Sequence, residues 1–208
     1  MRQPLFNKFD GGGKVMTMAI TRQDLVPLNT YRKGREEYLQ KMLAYKQERR
    51  VRMDEHVSLL FENRNTVLFQ IQELVNCEDL TDPNELDEYI DIYSGMLPQE
   101  NELSATLFIE WDNQDKLAEL LRKLQGIEHH LALKVGAETI QAVFEEEHND
   151  RGFTTSVHYV KFPLTQTAKE HLLNSNEPQV TLILNHPELS AQAVLTPNCI
   201  RSLQKDLA

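Results

Sequence analysis

Long apolar runs are missing from this sequence. The densest, Val180 to Leu184, has the length of a strand and falls far short of the roughly 18 residues that a membrane-spanning helix needs. Cysteine is equally scarce: Cys77 and Cys199 stand alone, without C-x-x-C spacing or neighbouring histidine, which excludes a disulfide framework and a zinc finger. Both are expected to be reduced, partly buried thiols. Also missing are a Gly-x-Ser-x-Gly elbow, a His-Glu-x-x-His pair and a Gly-x-Gly-x-x-Gly turn after a strand. These absences lower the expectation of hydrolytic or nucleotide-dependent chemistry, although catalytic groups can converge from distant parts of a chain. Arg2 and Lys8 are not followed by an apolar stretch, so no secretory signal is read and a cytoplasmic location is expected.

What is present is ordinary globular composition, with 40% hydrophobic and 26% charged residues. The net charge of −10 repels nucleic acid and anionic lipid on average. Residues 1–18 differ from the rest, because Pro4 and the Asp10-Gly11-Gly12-Gly13 stretch interrupt any helical or strand period. They are predicted to be a disordered extension, with Met16 or Met18 as the native start. Gly11-Gly12-Gly13-Lys14 is not a phosphate-cradling loop: Val15 occupies the Ser/Thr position and no strand precedes it. Residues 19–208 are predicted to form a single α+β domain.

Within that span, Thr21-x-x-Asp24 reads as a helix cap with a carboxylate three residues on. Thr30 is the expected cap of a longer helix to about Arg52, with Tyr31, Tyr38, Met42 and Tyr45 on one face and a basic opposite face that includes Arg49. A strand over Val57 to Phe61 precedes a helix capped near Asn63-Arg64-Asn65, and Asp82-Pro83 opens another. Strands follow at 103–111, 131–135, 140–145, 156–162, 180–185 and 191–195, with helices at 115–125, 165–174 and after Pro197. Helices first and a strand-rich half afterwards predict a mainly antiparallel sheet packed by helices, with a helical N-terminal third.

A candidate polar cleft is assembled from this layout. Glu62, Asn63 and Arg64 sit at a strand-to-helix junction, where free N–H groups and the helix dipole favour anions and Arg64 is placed to clamp a carboxylate or phosphate. Capping by Asn63 and pairing of Arg64 account for the same residue types. Carboxylates gather at strand ends, namely Glu100, Glu102, Glu110, Asp112 and Glu145-Glu146-Glu147. Alternation puts Glu102 and Glu110 opposite Leu103 and Ile109, as a hard-metal site or a solvated acidic face requires. His158 in mid-strand and His186 at a turn are the better placed of the histidines for ligation or proton transfer, while His129 and His130 point to opposite sides. The basic helix suits a protein partner or a second copy; its tyrosines lie on the face read as buried, which argues against nucleic acid. No catalytic residue, metal or cofactor can be named from these residues.

Several phrases carry a family likeness: Leu60-Phe61-Glu62-Asn63-Arg64, Thr66-Val67-Leu68-Phe69-Gln70-Ile71-Gln72-Glu73 and Asn101 to Glu110, together with Gly126-Ile127-Glu128, Tyr159-x-Lys161-Phe162-Pro163-Leu164 and His186-Pro187. They resemble a bacterial domain-of-unknown-function family, number thirty-five-oh-one, over essentially residues 19–208. The resemblance implies an association with rubrerythrin-like and iron–sulfur oxidoreductase proteins and hence with redox chemistry. It implies no catalytic residue. The expectation is therefore an accessory or partner-binding protein of such a redox system, dimeric or bound to redox proteins. The alternative is an enzyme in which Arg64 holds an anion while Glu62, Glu102, Glu110, His158 and His186 bind a metal or move protons.

Overall fold

The computed structural model describes residues 19–145 and 152–208. The predicted extension, the start at Met16 or Met18, and Glu146 and Glu147 of the acidic run lie outside the described residues. Within the span read as one domain, the chain forms two compact units. One takes the described part of Met1–Glu48 with Glu62–Leu97, and the other takes Arg49–Phe61 with Pro98–Ala208.

The first unit is helical. Asp24 folds back on Thr21 to cap a single 3-10 turn, Arg22–Asp24. Helix α1, Leu28–Arg49, starts two residues before the expected Thr30, because the Pro27 carbonyl already accepts from the N–H groups of Thr30 and Tyr31. Helix α2, Arg64–Cys77, is the apolar centre of this unit: Val67, Phe69, Ile71 and Val75 are buried along it. Asp82 caps α3, Pro83–Ser94, with Pro83 in the first turn, where its missing N–H costs nothing. Polar ties lock α1 to α2. The Arg35 guanidinium grips both oxygens of Glu73 at 2.8 and 2.6 Å, and the Tyr31 hydroxyl donates to the same carboxylate at 2.6 Å.

The second unit holds two antiparallel sheets. The five-stranded sheet runs β1 (Arg50–Arg52), β2 (Val57–Glu62), β3 (Glu102–Ile109), β7 (Val157–Pro163), β6 (Val143–Phe144). The four-stranded sheet runs β5 (Glu138–Gln141), β4 (Leu131–Val135), β8 (Val180–His186), β9 (Leu189–Val194). A single layer was the expectation. Two arise because the chain leaves β5, passes one residue, Ala142, and enters β6 in the other sheet. Both sheets feed one hydrophobic cluster, with Leu103, Leu107, Val160 and Phe162 from the first and Leu131, Leu133, Leu182 and Leu184 from the second. Helices α4 (Gln114–Lys123), α5 (Gln166–Asn174) and α6 (Pro197–Leu207) add Leu120, Leu172 and Leu203 to it.

Two sequence expectations are corrected here. The spacing predicts a basic helix to about Arg52, but the helix stops at Arg49 and Arg50–Arg52 pairs with β2, which lets Val51 enter the core. Arg49 was counted in the basic outer face and is instead fully buried, bonded to the Phe61 carbonyl, Ser202 and Asp206. Cys199 is buried as expected, whereas Cys77, in the last turn of α2, is exposed.

Candidate functional site

Each predicted cleft residue has a defined place. Asn63 is the N-cap of α2: its side chain accepts from the N–H groups of Asn65 and Thr66 and donates to the Tyr45 hydroxyl at 2.6 Å. Arg64 is held by Asp24 at 2.7 Å. Burial raises the Asp24 pKa, but the backbone N–H of Thr21 and the Arg64 guanidinium outweigh it and hold the carboxyl below its usual range. The anion that Arg64 was expected to clamp is thus answered by a carboxylate of the same chain. Glu62, the buried last residue of β2, falls with Asn63 and Arg64 in the helical unit.

Glu102, Glu110, His158 and His186 belong to the sheet unit. Glu102 accepts from the Gln99 N–H at 3.0 Å and pairs with Lys161 at 3.2 Å. Glu110, at the other end of β3, is exposed and lies 3.7 Å from Arg50. His158 pairs with Leu107 across β3 and β7, which puts it on the core face, opposite to Glu102. There its Nε2 lies 2.9 Å from the Thr154 hydroxyl and its ring meets Phe144 edge-on. His186 sits in the other sheet: Nε2 donates to the Gln125 carbonyl at 3.0 Å while Nδ1 accepts from the Glu188 N–H. Structural bonds thus occupy both histidines, and the two carboxylates stand at opposite ends of one strand. Among the described residues, no group of three or more His, Cys, Asp or Glu is arranged to hold a metal ion.

What does gather is a polar row on the face of the five-stranded sheet turned away from its hydrophobic cluster. Register places Ser104 beside Lys161 and Thr106 beside Tyr159, on the face turned away from Leu103, Leu107, Val160 and Phe162. Ser104 and Thr106 are buried, and the Lys161–Glu102 pair is largely so. Farther along, Arg50 lies over the Phe108 ring at 4.7 Å and donates to the Ser58 hydroxyl at 2.9 Å. Alternation used on Glu102 and Glu110 carries the same signal for Ser104 and Thr106, and Tyr159-x-Lys161 repeats it on β7. The hydroxyls of Ser104 and Thr106 and the Lys161 ammonium lie between the carboxylates that the sequence makes conspicuous. Chemically the row is a hydrogen-bonding strip with one charge pair, suited to holding a polar group in place.

One helical unit and one unit of two antiparallel sheets define an α+β protein. The chain belongs to the family described as Protein of unknown function (DUF3501), which matches residues 19–207. It is similar to the crystal structure of a novel protein of unknown function from Burkholderia pseudomallei K96243, with 31% sequence identity and a TM-score of 0.86. That match covers 92% of this chain and 100% of the other. No curated protein matches the chain.

Proposed function

We propose that this protein is a binding protein of the bacterial cytoplasm, an accessory that docks a component of a redox system of the iron–sulfur or rubrerythrin type. The observation that carries the reading is helix α3. Glu85, Glu88 and Ile92 share one helix face at i, i+3 and i+7, with Asp91 beside them, and all four are exposed. An apolar side chain ringed by carboxylates suits a protein partner with a basic rim, since charge steers the encounter and the apolar centre supplies contact. The cations of α1 contribute less: Glu73 answers Arg35, Asp79 answers Arg32 and Glu37 answers Lys41. Isothermal titration of the purified chain against a rubrerythrin-type protein and an iron–sulfur oxidoreductase from the same organism tests the reading. A dissociation constant of about 10 μM or tighter is expected, weakened about tenfold or more by Glu88→Lys with Asp91→Lys. No heat with either protein refutes it.

The second reading is an anion-binding enzyme built on the polar strip, with Lys161 and Tyr159 holding the anion and Glu102 moving a proton. The buried hydroxyls of Ser104 and Thr106 beside Lys161 favour it. Ligand-linked stability separates the two readings: a thermal shift with phosphate, iron, manganese or zinc that Lys161→Met abolishes supports the enzyme, and no shift counts against it.

A further inference from the structure

The sheet edges of the second unit differ in how they are protected. In the five-stranded sheet, β1 is three residues long and carries Arg50 and Arg52, and β6 has two residues among those described. In the four-stranded sheet, β5 carries Glu138. Short length and charge are the usual means of keeping an edge from pairing with another chain. The fourth edge, β9, has neither. Its six residues, Leu189-Ser190-Ala191-Gln192-Ala193-Val194, contain no charge and no proline, and Val194 is 72% exposed.

Hydrogen-bond parity shows what this edge offers. The Leu195 N–H donates to the Val180 carbonyl at 2.9 Å, and bonded and non-bonded pairs alternate along an antiparallel ladder. Leu189, Ala191 and Ala193 therefore turn their backbone groups toward β8, while Ser190, Gln192 and Val194 turn theirs outward. The same three outward residues have exposed side chains, whereas Leu189, Ala191 and Ala193 pack against the core.

We propose that β9 is a homodimer interface, in which a second copy of this chain pairs antiparallel with it about a two-fold axis at Gln192. Parity allows opposite residues to be both outward or both inward, and the register centred on Gln192 pairs the three outward residues with one another. Gln192 then meets its own counterpart, and Ser190 meets Val194. On the core side, Ala191 faces Ala193 at the close spacing of a non-bonded pair, where small side chains fit, and Leu189 faces Leu195 to extend the apolar layer. The ends also match in charge. Glu188 of one copy comes level with Thr196 of the other, the N-cap of α6, where the free N–H groups and helix dipole favour a carboxylate. An edge that is uncharged along its length and complementary to itself at both ends fits a second copy better than an arbitrary extended peptide.

The experiment uses the full chain in sedimentation velocity and light scattering between about 1 and 200 μM, a range suited to a strand-edge contact of modest area. Wild type is expected to shift from monomer to dimer within that range. Gln192→Lys and Gln192→Glu each place like charges on the axis and are expected to raise the dimer dissociation constant about tenfold or more, with the melting temperature unchanged at concentrations where wild type is monomeric. Mixing the two variants should restore the dimer, seen in native mass spectrometry as the mixed species. A wild type that stays monomeric throughout, whether bare or holding an extended peptide on this edge, overturns the proposal. So does a variant that dimerises as tightly as wild type, or a mixture that fails to recover.

Discussion

Arg49, fully buried at the end of α1, holds the carboxylate of Asp206 in α6 at 2.6 Å across 157 residues of chain. Its other donors reach the Phe61 carbonyl at 2.8 Å and the Ser202 hydroxyl at 2.7 Å, so one guanidinium ties the end of β2 to the C-terminal helix. The planar fork of arginine is required, because a lysine ammonium is a point charge on a stem that does not match this geometry. Arg49→Ala removes one partner of a buried pair and is expected to cost about 3–5 kcal/mol, read as a large fall in the denaturation midpoint. Asp206→Ala in the Arg49→Ala background should cost much less than Asp206→Ala alone. Additive losses would show that the two residues are not coupled.

The two cysteines should differ in reactivity. Burial pushes the Cys199 thiol up to about 11, partly offset by the nearby Arg49 charge, while Cys77 is exposed. With an aromatic disulfide reagent at pH 8, Cys77 is expected to react in the folded protein and Cys199 only after denaturant is added. Equal rates for both would contradict the burial of Cys199.

Acid should loosen the helical unit through Glu73. Burial raises the Glu73 pKa, but the bonds from Arg35 and Tyr31 more than compensate, so the folded carboxyl titrates below its usual range. A depressed folded pKa contributes stability that is complete above the unfolded value, near 4.5, and is lost as pH falls through the lower folded value. Helical circular dichroism during thermal melts from pH 7 down to pH 3 should show this decline. Glu73→Gln should lower stability at neutral pH and flatten the acid limb.

Asn63→Ala removes the cap of α2 together with the bond to Tyr45. A loss of about 1–2 kcal/mol is expected by chemical denaturation. Asn63→Asp keeps the capping acceptor but gives up the donor to Tyr45, so it should recover part of that loss.

Gly136 occupies a left-handed turn at φ +58°, and a Cβ there would stand 3.0 Å from Nε2 of His171. Gly136→Ala is expected to destabilise by more than about 1 kcal/mol, since backbone strain and steric contact act together. Pairing it with His171→Ala should return the steric part and leave the backbone part.

Most of the fold was legible because local signals agreed with burial. Thr21 with Asp24, Asn63 and Asp82-Pro83 all cap where the sequence placed them, and the last helix begins at Pro197 as expected. The strands expected at 180–185 and 191–195 are also present and pair with each other. Local pattern failed where tertiary pairing decided the outcome. Arg50–Arg52 continues a helical stretch by composition, yet becomes a strand because β2 is there to pair with it. The candidate site was less legible. Arg64, Glu102 and Glu110 stand out by charge, but local sequence does not encode that Asp24, Lys161 and Arg50 answer them. His158 is the second residue of β7 and not in mid-strand, and its period-two spacing with Val160 and Phe162 carries the core face it takes.

Ala142 is the one residue between β5 and β6, and its N–H donates to the Leu131 carbonyl at 2.9 Å. The two sheets are sutured there by unbroken backbone, so neither can peel away without dragging an edge strand of the other. Amide protons of β4 and β7 should therefore exchange with deuterium through a common opening event, giving both ladders one shared protection ceiling.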